Sequence, residues 1–284
     1  MSDISRSAAG TITLGDLSVN RFGFGAMRIT GEGIWGEPRD PDEARRVLHR
    51  AVQLGVNFID TADSYGPEVS ERLIAETLRP YPSDLVIATK GGLLRDGPAR
   101  WRPDGRPRHL RQALEGSLRR LGLDRVDLYQ LHRVDPRVRF EESVGELVRM
   151  KDEGKIRHIG LSNVDRGQLR HALAMTEIVS VQNRYSLADR SSDEVLSACE
   201  ERGLAFLPWN PLDVGRLARP GGPLDAAAAE HGATPGQIAL AWLLARSPAM
   251  LPIPGTASVS HLEENVAAAS IRLSPREVEL LAAA

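Results

Sequence analysis

The sequence predicts an α/β protein, a (β/α)8 barrel with an N-terminal β-hairpin. Three observations carry that expectation. Short β-rich runs alternate with amphipathic helical patterns through nearly the whole chain. Single helices between strands require right-handed crossovers and a parallel sheet, and eight such units in about 260 residues match a closed barrel in length and count. The rival architecture, an open doubly wound sheet binding a dinucleotide, lacks its glycine fingerprint. "GFGAMR" offers Gly23 and Gly25 but Arg28 where the third glycine belongs, and Pro38 and Pro41 interrupt the stretch where its helix should run.

Taken in order, "TITLGDLSVN" (11–20) alternates around Gly15-Asp16 and predicts the hairpin, placed to cap the barrel bottom. The strands expected for the barrel are "RFGFG", "NFID", "LVIAT", "RVDLYQLH", "IRHIGLS", "IVSVQ", "LAFLPW" and "MLPIP". Between them lie the helical patterns "DPDEARRVLHRAVQLG", "SERLIAETLRP", "RHLRQALEGSLRRLG", "FEESVGELVRMKDEG", "RGQLRHALAM", "SSDEVLSACEERG" and "TPGQIALAWLLARS". Asp40-Pro41 offers a cap with proline at the first helical position, and Ser274-Pro275 starts the last helix. Gly55, Gly122, Gly154 and Gly203 stand where four helices should stop.

Bulk properties narrow the function. With 36 basic against 38 acidic residues the formal charge is −2, which argues against a general nucleic-acid footprint. The single cysteine, Cys199, excludes an internal disulfide and a CxxC metal or redox motif, and sits in a helical run as a packed thiol. The first residues carry no apolar signal core, and nowhere do 18 apolar residues run together. A cytoplasmic protein without a membrane partner is expected. No composition shift or long linker marks a second domain, so residues 1–284 read as one domain, with 1–10 a flexible tail.

In a barrel of this kind catalytic groups stand at the C-terminal ends of several strands. Those ends carry Asp60, Lys90, His132, Ser162-Asn163, Gln182 and Trp209-Asn210. Tyr65 lies five residues after Asp60. Together they suit reduction of a carbonyl. A phenol can protonate a developing alkoxide if its pKa, about 10 unperturbed, is drawn down. A Lys90 ammonium would favour the phenolate, Asp60 would hold the ammonium, and His132 would polarise the carbonyl. Only three lysines (Lys90, Lys151, Lys155) occur among the 36 basic residues, which makes one at a strand end conspicuous. Lys151 and Lys155 read as solvated helix-end charges.

From about Thr11 to its end the chain resembles an aldo-keto reductase. "DTADSYG" supplies Asp60 and Tyr65, "IATKGG" Lys90 and "YQLHRVD" His132, the four positions of that family's catalytic tetrad. "GKIRHIGLSN" and "VQNRYS" are similarly close to family motifs. The resemblance implies NADP(H), with NAD(H) an option, extended across the barrel top. Gly25, Ala26 and Met27 would border it, and Ser162, Asn163 and Gln182 would hold the nicotinamide carboxamide. Trp209 would stack on the ring, with Asn210, Pro211 and Leu212 further along the cofactor. "IPGTASVSHLEENV" would be the adenosine-phosphate loop. There Gly255 lets the backbone approach, Thr256 and Ser258 donate to phosphate at a helix start, and Glu264 and Asn265 meet the adenine. Many relatives carry a basic residue where His261 stands, so the expected preference for NADPH is modest. "GAMRITGEGIWGEPRD" resembles bacterial pyridoxal reductases of the family, with Met27, Trp35 and Trp101 as pocket-mouth candidates. The expected substrate is therefore pyridoxal or another small aromatic aldehyde.

Two other readings stay open at this point. Potassium-channel β subunits show that the family includes partner proteins, so a non-catalytic cofactor-binding regulatory module is the alternative; the intact tetrad favours an enzyme. A metal-dependent hydrolase is disfavoured, because the seven histidines include no HxH pair and no metal is expected. The chain is expected to act as a monomer or weak oligomer.

Overall fold

A computed structural model describes residues 8–283. Of the expected tail 1–10, residues 1–7 lie outside the described residues. Residues 8–10 are tied down: the Arg21 amide donates to Gly10 O at 3.0 Å, and the Arg272 guanidinium bonds Ala8 O.

The chain opens with β1 (Thr11–Leu14) and β2 (Leu17–Asn20), the expected antiparallel hairpin. The repeat then begins with β3 (Phe24–Gly25), α1 (Pro41–Gln53), β4 (Phe58–Asp60), α2 (Val69–Leu78) and β5 (Val86–Gly91). A second hairpin, β6 (Leu93–Gly97) and β7 (Arg100–Pro103), comes after β5. Next come α3 (Pro107–Leu121), β8 (Val126–Leu131), α4 (Phe140–Asp152), β9 (Ile156–Ser162), α5 (Arg166–Met175) and β10 (Ser180–Arg184). The chain continues through α6 (Asp193–Arg202), β11 (Ala205–Trp209), α7 (Asp225–His231), α8 (Pro235–Arg246), α9 (Val259–Ala267) and α10 (Pro275–Ala283). Local chemistry sets several boundaries. Asp40 accepts the Glu43 amide at 2.9 Å to start α1, and Asp165 and Thr234 form reciprocal capping boxes with Gln168 and Gln237 to start α5 and α8.

Seven parallel strands pair in the order β11-β10-β9-β8-β5-β4-β3. The expected eighth strand, "MLPIP", joins the two edges with a defective ladder. It bonds β11 through Phe206 N to Ala249 O (2.8 Å) and Leu251 N to Phe206 O (2.9 Å). Toward β3 its carbonyls accept, from Gly23 N at Pro252 O (2.9 Å) and Gly25 N at Pro254 O (3.4 Å). Pro252 and Pro254 have no N–H to return, so this side of the ladder is one-directional. The result is a (β/α)8 barrel.

Side-chain alternation divides the barrel interior into layers. Phe58, Ala88, Leu128 and Leu207 form an apolar layer, sealed below by Leu14 and Val19 of the hairpin. Two residues further along the same strands come Asp60, Lys90, Gln130 and Trp209. The functional groups therefore stand on a packed apolar floor. Gly160 on β9 lets this layer pack closely, since a Cβ there would lie 2.5 Å from Ser180 Oγ and 3.0 Å from Gln130 Cγ.

Candidate active site

The four residues expected at strand ends converge. Lys90 Nζ donates to Asp60 Oδ2 at 2.6 Å, to Thr61 O at 2.9 Å and to the Tyr65 hydroxyl at 3.2 Å. An ammonium has three protons, and each has one acceptor here. Lys90 is 0 % exposed, so this coordination is its whole environment. Asp60 is fixed in turn at Oδ1 by Gln182 Nε2 (2.8 Å) and Gln130 Nε2 (3.0 Å). The His132 ring meets the Tyr65 ring edge-on at 5.8 Å, and its Nδ1 faces Ser64 Oγ at 3.4 Å.

Electrostatics assign the protonation states. Burial alone would depress Lys90, but Asp60 and Tyr65 outweigh it and leave the pKa raised. Burial, reinforced by Lys90 and Arg133, holds His132 well below its usual range, so the imidazole is neutral. Tyr65 departs from the expectation that Lys90 draws its pKa down. Burial raises it, Lys90 pulls it back, Asp60 pushes it up again, and the balance lies above the ordinary phenol. The resting phenol is therefore protonated.

The expected nicotinamide residues lie beside this cluster. Gln182 commits its amide nitrogen to Asp60, with Gln130 Oε1 a second, longer acceptor at 3.3 Å. Among the described residues nothing donates to Gln182 Oε1. Asn163 donates to His132 O (3.0 Å) and Ser162 Oγ (2.9 Å) and accepts from Trp209 Nε1 (3.1 Å). The Ser162 proton and Gln182 Oε1 thus remain as one donor and one acceptor, the complement of a carboxamide. Asn210 adopts φ 59° and closes a tight loop by accepting the Val214 amide at 2.7 Å; Pro211 is buried and Leu212 half-buried within it.

In the expected phosphate loop the glycines are required for a different reason. A Cβ on Gly255 would lie 2.4 Å from Gly25 O, and one on Gly25 would lie 2.6 Å from Ile253 O. These two glycines are needed by each other and by the strand closing the barrel. Ala26 is buried in the same short turn, with Met27 half-buried beside it. Thr256 Oγ1 accepts the Ser258 amide (3.1 Å), and Ser258 Oγ pairs with Ser260 Oγ (2.8 Å). The first amide of α9, Val259 N, donates to Glu43 Oε1 at 2.9 Å, so a carboxylate already sits at this helix start. That amide, with Arg46 assisting, lowers the Glu43 pKa and keeps it anionic. His261 is exposed in the first turn, Asn265 is buried, and Glu264 is turned toward the α8 cap, accepting from Thr234 Oγ1 at 2.6 Å.

At the mouth, Trp35 and Trp101 are brought together by Arg95, a residue that its sequence pattern does not single out. The Arg95 guanidinium lies 3.7 Å from the Trp101 ring centroid and 5.6 Å from that of Trp35. It donates to Gly33 O (2.7 Å), Ile34 O, Ser64 O (3.3 Å) and Gly97 O (3.2 Å). Trp101 in turn lies 6.5 Å from the His132 ring. One planar fork thus ties two loops to the segment preceding Tyr65. Arg95→Met is expected to raise KM for an aromatic aldehyde about tenfold, ~1.4 kcal/mol of binding, while kcat changes less. An unchanged KM would show that the tryptophans are held without the clamp. Ser64 and Gln130 are further site residues absent from the sequence expectations. For Gln130 a signal existed, because period-two alternation from His132 points it into the barrel.

Among the described residues, no three His, Cys, Asp or Glu side chains converge to hold a metal ion. Likewise, no helix there is long and apolar enough to cross a membrane.

The model of the aldo/keto reductase family matches residues 21–284. The chain belongs to this family. It is 54 % identical over 273 residues to an uncharacterised oxidoreductase of Schizosaccharomyces pombe, covering 96 % of this chain and 89 % of that protein. It is 44 % identical over 280 residues to pyridoxine 4-dehydrogenase of Escherichia coli, covering 96 % and 98 %. An aldo/keto reductase from Klebsiella pneumoniae, solved in complex with NADP and acetate, superposes with a TM-score of 0.80 at 29 % identity, covering 95 % and 93 %. General oxidoreductase chemistry is shared across these relations.

Proposed function

We propose that this aldo/keto reductase interconverts a small aldehyde or ketone and its alcohol with NADP(H), Tyr65 being the proton donor in reduction. The observation that carries the reading is the buried Asp60–Lys90–Tyr65 chain beside a neutral His132. When bound, the reduced nicotinamide supplies the hydride. Ser162 and Gln182 present the donor and acceptor for its carboxamide. His132 contributes an N–H to the substrate carbonyl: in the tautomer with its proton on Nε2, Nδ1 accepts from the Ser64 hydroxyl 3.4 Å away. Tyr65 gives its proton to the forming alkoxide, and Lys90 stabilises the phenolate in a site from which water is excluded.

The substrate proposed is pyridoxal or another small aromatic aldehyde. Support comes from the Trp35–Arg95–Trp101 stack at the mouth and from the relation to the Escherichia coli pyridoxine 4-dehydrogenase. The test is consumption of NADPH and of NADH against a carbonyl panel that includes pyridoxal and aryl aldehydes. Turnover of none of them, with the cofactor still bound, would favour the regulatory module instead.

Preference for NADPH over NADH is expected to be modest. The Thr256 and Ser258 hydroxyls favour a 2′-phosphate, whereas Glu43 at the same helix start opposes it. His261→Arg should therefore tighten NADPH by roughly 3–10-fold with little change for NADH, and Glu43→Gln should act in the same direction. Dissociation constants from protein fluorescence check this. A wild type that already prefers NADH would overturn the phosphate reading of the loop.

A further inference from the structure

Gln130 stands next to last in β8, 0 % exposed, and its amide is engaged at both ends. Nε2 donates to Asp60 Oδ1 at 3.0 Å, and Oε1 accepts from Gln182 Nε2 at 3.3 Å. Gln182 Nε2 also donates to that same Asp60 oxygen, at 2.8 Å. Side chains from β4, β8 and β10 thus close a triangle of three hydrogen bonds inside the barrel. We propose that Gln130 is a positioning residue for cofactor recognition: it fixes the amide plane of Gln182, so that Gln182 Oε1 is presented to the nicotinamide carboxamide. This role rests on Gln182 being the carboxamide acceptor proposed for the cofactor.

Donors and acceptors set the orientation. A side-chain amide presents oxygen on one side and nitrogen on the other, nearly equal in size, so its partners alone decide which way it faces. The nitrogen of Gln182 meets two oxygens, Asp60 Oδ1 and Gln130 Oε1, one for each of its protons. A reversed amide would set its own oxygen against both. Asp60 alone would hold Gln182 at a single point, about which the amide could swing. The second bond, to Gln130, stops that swing and gives Oε1 one direction. Among the described residues Oε1 has no donor of its own, so its direction is held from the nitrogen side. The same residue serves Asp60, whose Oδ2 is taken by Lys90 Nζ at 2.6 Å and whose Oδ1 draws one of its two donors from Gln130. Gln130 therefore joins the proton-donor chain to the proposed carboxamide site.

The backbone makes room for this reach. Gln130 is the register partner of Gly160 on β9, and Gly160 in turn of Ser180 on β10. A Cβ on Gly160 would lie 3.0 Å from Gln130 Cγ. With glycine there, Gln130 leans across β9 toward Gln182, two strands away. An apolar side chain would pack at the same interior position without the desolvation that an amide costs, so the buried amide is accounted for by the bonds it makes.

The test uses the full chain and measures, by protein fluorescence, the binding of NADP+ and of its 3-acetylpyridine analogue. The analogue keeps the carbonyl that Ser162 would meet but carries a methyl where the carboxamide has its N–H donors, so it cannot donate to Gln182. Wild type is expected to bind NADP+ about tenfold more tightly than the analogue. In Gln130→Met, of similar volume but without the amide, that ratio should fall by roughly threefold or more, through weaker NADP+ and unchanged analogue. Equal weakening of both ligands, or an unchanged ratio, makes Gln130 a packing residue and overturns the proposal. A melting curve close to wild type verifies the fold. Should Gln130→Met melt early, Gln130→Asn carries the same expectation, being polar but one methylene too short to span both partners. Gln182→Met separates the two readings, because it should abolish the preference altogether. No preference in wild type, or one that survives in Gln182→Met, refutes the carboxamide assignment of Gln182 itself and the role of Gln130 with it.

Discussion

Tyr65→Phe is expected to lower kcat for carbonyl reduction by ~10²-fold or more while leaving the dissociation constant for NADPH nearly unchanged. The phenol hydroxyl is the group that Lys90 Nζ contacts at 3.2 Å, and it lies next to the His132 ring. Phenylalanine keeps the ring packing and removes only the proton. Because burial holds the resting phenol above its ordinary pKa despite Lys90, it stays protonated through neutral pH. Reduction needs that proton, so the wild-type rate should be flat near neutrality and fall only as pH rises past the ordinary phenol range. The phenylalanine variant should lose this alkaline limb along with its turnover. Steady-state kinetics across pH check both expectations. Near-normal turnover in the variant would remove Tyr65 from the mechanism.

The reach of the sequence is clearest at the strand ends. Asp60, Lys90 and His132 could be placed because strands are short, their alternation is strict, and barrel geometry brings successive ends together. What escaped was set by partners distant in the chain. Arg95 stands in "LLRDGPARWRP", where exposed polar residues on both faces of a small hairpin hide its period-two pattern. Its role depends on Gly33 and Ser64, 62 and 31 residues away, and no local spacing encodes that. Helix α7, "DAAAAEH", is not legible in the sequence because a run of alanines gives no apolar face to detect. The strand "MLPIP" was legible from its apolar residues, yet its prolines made the ladder one-directional. The direction of the Tyr65 shift needed the structure too. Sequence shows that a cation is near, but not that burial outweighs it.

Lys90→Met and Lys90→Arg are both expected to lose most turnover while still binding NADPH, for different reasons. Methionine leaves Asp60 without its 2.6 Å partner in a site where its carboxylate is 3 % exposed. Breaking such a pair costs about 3–5 kcal/mol, so this variant should also melt earlier. It further removes the cation that pulls the Tyr65 pKa down against burial, which makes the phenol a weaker acid and its phenolate harder to form. Arginine keeps the charge but not the geometry. Three acceptors, Asp60 Oδ2, Thr61 O and Tyr65 OH, surround one nitrogen at 2.6, 2.9 and 3.2 Å, and a planar fork with five donors cannot occupy that point. A chain that otherwise uses arginine for nearly all its basic residues has kept lysine here. Turnover, NADPH binding and melting temperature measured together separate the effects. If Lys90→Arg matched the wild-type kcat, a generic cation would suffice, and the compact ammonium would have no special part in proton delivery.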